Sequence, residues 1–428
     1  MPAFRLRLKA PNAVTAAQAR TSFYWLTDSH SSFTRSLAPS LASLGPVPNL
    51  NIDLVRIAVG VFAADRSTPR EGGGSSWNQR QIELTVPVSD PDAWGQVDSD
   101  LTSVIDFLTG DNWALRFVKE ARRPRRIPRP DITPKRVVLL SGGADSAIGA
   151  LKSRAELASD EAHMLLSHYS FGPLAPIQRA TATAIEALVP GPSQHIQIHF
   201  ARNRQRADGT EFPTEPSSRS RSLLFVSLGL AAAAVHSVPL WIPENGFASL
   251  NPPLGPERRG SLSTRTTHPA FLGGLVSVLD DIGAHHALEN PFARATKGEM
   301  FTEAVSLVGR RPASQLLSAT SSCAHTGQRA FGVAPTMACG VCFGCVVRRA
   351  SFHASGLRDR TSYIDPTGNA GLGRWLDNNS VERAVQSFVR RGVRPRDLVA
   401  MSLPRDYGIE DALDLCRRGA EELAELYR

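Results

Sequence analysis

The chain has 428 residues, 42% hydrophobic and 21% charged, with a formal net charge of +8; that is the balance of a soluble globular protein of two or three domains. No apolar run of about 18 residues escapes a charge or a proline, and the start, Met1-Pro2-Ala3-Phe4-Arg5, lacks the apolar stretch of a signal peptide. The expectation is a cytoplasmic protein without a membrane span.

In the first ~120 residues, Phe4-Arg5-Leu6-Arg7-Leu8, Leu54 to Val59 and Gln81 to Val86 alternate apolar and polar residues. A period of two predicts half-buried antiparallel strands, and so a small β-rich domain over 1–120. From Ala121 to Lys135 four prolines stand among arginines. They remove amide donors and hold the chain extended, which predicts an Arg/Pro-rich linker over 121–135. Between Ala121 and Arg136 there are seven basic residues and one acid, which supply +6 of the +8. Such a run is a solvated tether or a contact for phosphate or an acidic partner.

After the linker, short apolar runs alternate with helical stretches. Val137 to Leu140, Met164 to Leu166, His195 to Phe200 and Leu240 to Pro243 are expected strands, with helices over Ser146 to Ser159, Pro176 to Leu188 and Ser222 to His236. This order predicts an α/β fold, an open parallel sheet with helices on both faces, over 136–378. The residues 379–428 carry helical patterning alone and are expected to form a C-terminal tail.

The sharpest local signal is Ser141-Gly142-Gly143-Ala144-Asp145-Ser146 between the first of these strands and its helix. Paired glycines let backbone approach an anion, the helix N-terminus points its amides at it, and Ser141 and Ser146 add hydroxyls. The loop is a phosphate cradle, with neither the Gly-Lys-Ser/Thr ending of a Walker loop nor the spacing of a dinucleotide fingerprint.

Five cysteines in a reducing compartment do not indicate a disulfide framework. Cys339, Cys342 and Cys345 follow a C-x2-C-x2-C pattern, and Cys323 lies upstream with fifteen residues between it and Cys339. Four thiolates suit one tetrahedral structural Zn2+, with an iron–sulfur cluster or unligated thiols as alternatives and His325 as a substitute for Cys323. Cys416, in the tail, is expected to be a core residue.

The loop resembles that of the ATP pyrophosphatases. Loop and cysteine cluster together resemble one branch of them, the 7-cyano-7-deazaguanine synthases (QueC), over Lys135 to about Leu357. Arg221-Ser222 is similar to that family's Arg-Asn motif, and Thr296-Lys297-Gly298-Glu299 to its Thr-Lys-x-Glu segment. The family's Asn is replaced by Ser222, and its Tyr-Pro-Asp-Cys segment has no clear counterpart between Asn251 and Gly260. The N-terminal segment and the tail resemble those of the QueC-like proteins of bacterial anti-phage operons, the Qat system among them.

The resemblance implies a PP-loop, or adenine-nucleotide alpha hydrolase, domain. ATP would lie on Ser141, Gly142, Gly143, Asp145 and Ser146, with Mg2+ on its phosphates and Asp145, Ser146 and Arg221 in catalysis. It implies that a 7-deazaguanine carboxylate is adenylated and passed to an amine, on a partner protein from the same operon. A tRNA-modifying enzyme, with RNA on the linker and N-terminal segment, and a non-catalytic ATP- and zinc-binding scaffold remain as alternatives.

Overall fold

The computed structural model describes residues 1–9, 14–28, 30–34, 36–70, 79–120, 127–128, 132–216, 219–255, 265–325 and 327–428. The linker residues 121–126 and 129–131, and residues 256–260 of the expected substrate segment, lie outside the described residues.

The N-terminal segment contains β1 (Ala3–Arg7), α1 (Ala16–Thr21), β2 (Ser22–Tyr24), α2 (Leu37–Ala42), α3 (Asn49–Ser67), β3 (Gln81–Val88), α4 (Pro91–Gln96), α5 (Asp98–Thr109) and β4 (Asn112–Lys119). Its sheet runs β2-β1-β3-β4 with every pairing parallel. Two expectations are corrected here. The pairing is not antiparallel, because alternation reports one covered face and says nothing of strand direction. Leu54 to Val59 is not a strand but the middle of α3, so this part is α/β and not simply β-rich.

Next come β5 (Pro134–Leu139), α6 (Ala144–Glu156), β6 (Ala162–Tyr169), α7 (Leu174–Leu188), β7 (Ser193–His199), α8 (Arg221–His236), β8 (Leu240–Trp241), α9 (Gly246–Leu250), α10 (Pro269–Asp281), β9 (Leu288–Glu289), α11 (Lys297–Val308) and α12 (Arg310–Ala319). The second sheet is parallel, in the order β7-β6-β5-β8-β9. The expected strands and helices of this part are present. Pro134, placed in the linker by sequence, is instead the first residue of the central strand β5, a position that tolerates proline.

The run Val137 to Leu140 is buried on both sides of this sheet. Val138 and Leu140 belong to one apolar cluster with Ile148, Phe301 and Leu317. Val137 and Leu139 belong to another with Leu228 of α8 and with Leu54 and Ile57 of α3. The helix α3 therefore sits between α8 and the first sheet and is buried around its girth. Gly229 allows the close approach of α8 to the second sheet, since a Cβ there would stand 2.8 Å from Leu139 and Leu240 side chains.

The chain ends with α13 (Phe343–Ala354), α14 (Ala370–Asn378), α15 (Glu382–Arg391) and α16 (Ile409–Glu425). The last of these packs on α13 and α9 around Phe247, Val346, Leu415 and Cys416. Among the described residues no helix is long and apolar enough to cross a membrane.

Candidate functional site

From β5 the chain adds β6 and β7 on one side, then returns to place β8 and β9 on the other. The crevice at such a reversal, beyond the carboxyl ends of the strands, is where open parallel sheets bind ligands. The loop after β5 and the turn after β8 open there onto a cleft of about 930 Å³. Its walls include Ser141, Gly143, Asp145 and Ser146, with Arg221 at the head of α8 and Lys297 at the head of α11.

The loop is braced from within. Gly142 adopts a φ of 90°, a left-handed conformation that costs glycine little. The buried Ser146 hydroxyl accepts from the Ser141 amide at 3.1 Å and donates to the Gly143 carbonyl at 2.9 Å. From outside, the Ser321 amide donates to the Gly142 carbonyl at 2.8 Å, and the Gln178 amide group to the Ser141 carbonyl at 3.2 Å. Gly143 stands at the N-cap of α6 with no side-chain cap. The first-turn amides of a helix lack intrahelical acceptors, and here they begin at the cleft wall.

Asp145 is buried and fully engaged. The Lys297 ammonium donates to its Oδ1, and Oδ2 accepts from the Asn245 amide at 3.1 Å and the Asn245 side chain at 2.7 Å. Burial alone would raise its pKa, but the Lys297 charge and hydrogen bonds with Glu244, Lys297 and Asn245 hold it down to about 2. Asp145 thus fixes the loop against β8 and α11.

The side chain of Arg221 makes no hydrogen bond or ion pair with a described residue, and the residue lines the cleft. The surrounding protein lowers its pKa by desolvation. His168 lies near it. Burial, then the Arg221 charge, pushes that imidazole down to about 3, and its Nε2 donates to the Phe200 carbonyl at 3.2 Å.

Glu244, Asn245, Ser321, Ser322 and the stretch Asn378 to Val381 also line the cleft and were not singled out in sequence. The signal for Glu244 and Asn245 is their place just beyond the end of a parallel strand.

The Sγ atoms of Cys323, Cys339, Cys342 and Cys345 all lie within 4.8 Å of one another, with Cys339 and Cys345 3.9 Å apart. Zn–S bonds of about 2.3 Å at tetrahedral angles require sulfurs ~3.8 Å apart, so the group fits one zinc ion. The Cys339 amide points at the Cys323 sulfur at 3.4 Å and the Cys342 amide at the Cys339 sulfur at 3.3 Å, as suits thiolate acceptors. Gly340, at a φ of 82°, makes the turn between Cys339 and Cys342. His325 does not join them; its ring stands edge-on to Trp375 at 5.6 Å. Cys342 also lines the cleft. Cys416 is buried in the C-terminal core, where desolvation pushes its thiol up to about 12.

No protein-family profile matches the chain, and no solved structure matches it. It is similar to the 7-cyano-7-deazaguanine synthases of Cupriavidus taiwanensis and Cupriavidus necator, 27% identical to each over 247 residues. The similarity covers 54% of this chain and 98% of each of those proteins. A match along nearly their whole length supports a distant kinship between about half of this chain and the 7-cyano-7-deazaguanine synthases.

Proposed function

We propose that the chain is a QueC-like, ATP-dependent carbon–nitrogen ligase that adenylates the carboxylate of a 7-deazaguanine and passes the acyl group to an amine. The observation that carries this reading is the meeting of the Ser141 to Ser146 loop, Arg221 and Lys297 in one cleft beside a four-cysteine cluster. ATP would lie over the loop, where amides and hydroxyls receive the pyrophosphate. Bound Mg2+ would neutralise phosphate charge, and Zn2+ on the four thiols would be structural.

A substrate carboxylate oxygen attacks the α-phosphorus, and the bond from that phosphorus to the bridging oxygen breaks as pyrophosphate leaves. The amine nitrogen then attacks the acyl carbon and loses a proton, the bond from that carbon to the oxygen that attacked phosphorus breaks, and AMP departs with that oxygen while the other stays as the amide carbonyl. Arg221, which has no side-chain partner to release among the described residues, would meet the phosphate or the acyl-adenylate. Asp145 and Ser146 hold the loop in shape.

The finer part of the proposal is that the amine belongs to a partner protein of the same operon and that the reaction serves anti-phage defence. About half of this chain lies outside the similarity to the synthases, and free ammonia needs no docking surface.

The test is product analysis with labelled ATP and 7-carboxy-7-deazaguanine, with and without the co-expressed operon partner. AMP and pyrophosphate should form only with the acid, and the partner should gain a deazaguanine-sized mass. Release of ADP and phosphate would overturn the mechanism. AMP release without dependence on the deazaguanine would keep the chemistry and remove the substrate.

A further inference from the structure

The helix α16 grips the first turn of α11 with two side chains. Glu422 accepts the Thr296 hydroxyl proton through Oε1 and the Gly298 amide through Oε2 at 2.9 Å. One turn earlier, Arg418 donates to both carboxylate oxygens of Glu299, at 2.5 and 2.6 Å, and to the Arg294 carbonyl at 3.1 Å. Thr296 is the N-cap of α11 and forms a reciprocal capping box with Glu299. Between these anchors stands Lys297, whose ammonium reaches Asp145 in the glycine loop.

A carboxylate at a helix N-terminus satisfies amides that have no intrahelical acceptor and meets the positive end of the dipole. Here it comes from a helix more than 120 residues away in sequence. Gly298 is what admits it, since a Cβ there would stand 2.5 Å from Glu422 Oε1. The same C-terminal part lines the cleft directly through Asn379 to Val381.

We infer that Glu422 is a positioning residue of the cleft: through Thr296 and Gly298 it sets the direction in which α11 presents Lys297 to Asp145, so the C-terminal helix is part of the catalytic unit. This rests on the adenylation reading for its kinetic consequence but not for its structural one.

Two measurements on the full chain separate the two. The first is AMP formation by native protein, Glu422→Ala, Glu422→Gln and Gly298→Ala, with the exposed Glu421→Ala as control. Misplacing a positioned group costs up to about 100-fold, so kcat should fall about 10- to 100-fold in Glu422→Ala and Gly298→Ala. KM for ATP should change little, and Glu422→Gln, which keeps one acceptor, should recover part of the rate. The second is lysine acetylation read by mass spectrometry, which needs no turnover. Lys297 should be protected in native protein and label faster in Glu422→Ala and Gly298→Ala, with exposed Lys135 unchanged. Native kcat together with native Lys297 protection in both variants overturns the inference. Faster Lys297 labelling in the variants, when native protein itself forms no AMP, upholds the brace and refutes the adenylation reading alone.

Discussion

Lys297 and Asp145, 152 positions apart in sequence, form a buried ion pair at the wall of the cleft. Each lies in the first turn of its helix, and those helices, α11 and α6, pack together. The pair joins the glycine loop after β5 to the helix that follows β9, on one face of the second sheet. It also occupies Asp145 Oδ1, while Oδ2 is held by Asn245.

Removing the cation should therefore be costly to the fold as well as to the chemistry. Lys297→Met leaves the Asp145 carboxylate buried without its countercharge, and breaking a buried pair from one side costs about 3–5 kcal/mol. Urea unfolding should show a loss of that order, and adding Asp145→Asn should return a good part of it. A loss below about 1 kcal/mol would place the pair in effectively aqueous surroundings.

The same pair sets an acid limb. Asp145 titrates at about 2 in the folded chain, below the ~3.9 of an unfolded aspartate. A depressed folded pKa gives stability that is present above the unfolded value and is lost as pH falls from about 4 through about 2. Unfolding free energies of native protein and Asp145→Asn should converge over that window and stay parallel between pH 6 and 8.

The cysteine cluster predicts about one tightly held zinc per chain by elemental analysis. Structural zinc contributes on the order of 10 kcal/mol or more in small sites, so Cys342→Ser should be insoluble or metal-poor. Cys342 stands at the N-cap of α13 and lines the cleft. Chelation should therefore disturb ATP binding along with folding. A soluble Cys342→Ser chain with full zinc content would contradict the ligand set.

Local features were legible in the sequence, and distant contacts were not. The strands β5 to β7 and the loop after β5 are continuous segments whose composition states their environment. Leu54 to Val59 misled because Arg56, the polar residue of the apparent alternation, is buried. It pairs with Asp53 at 2.6 Å and with Glu120. A helix between a sheet and another helix is apolar around its circumference, and its β-branched residues then imitate a strand. In the site, Ser141 to Ser146 could be read directly. Asn245 on Asp145 and Glu422 on Gly298 span at least 100 positions, and no local pattern encodes such pairings.

A last prediction separates the two neighbours at the head of α8. Ser220 occupies the N-cap position but makes no capping hydrogen bond. Its hydroxyl donates instead to the buried Asp65 of α3 at 2.6 Å, and its amide donates to the same oxygen at 3.1 Å. The other Asp65 oxygen accepts from Arg80 at 2.5 Å, and Arg80 also pairs with Asp111. The N-terminal sheet and its helices thereby hold the end of α8 from which Arg221 enters the cleft. Ser220→Ala removes a hydrogen bond to a charged group and should cost about 1.5–3 kcal/mol. Arg221 makes no such bond with a described residue, so Arg221→Met should stay within about 0.5 kcal/mol of native stability. In AMP formation the order should reverse. Under the proposed function Arg221→Met would lose a contact to developing charge and should fall about 100-fold or more, whereas Ser220→Ala keeps the arginine and should fall less. Thermal unfolding and AMP release measured on the same preparations decide it, and a strongly destabilised Arg221→Met with unimpaired AMP release would mark Arg221 as a structural residue.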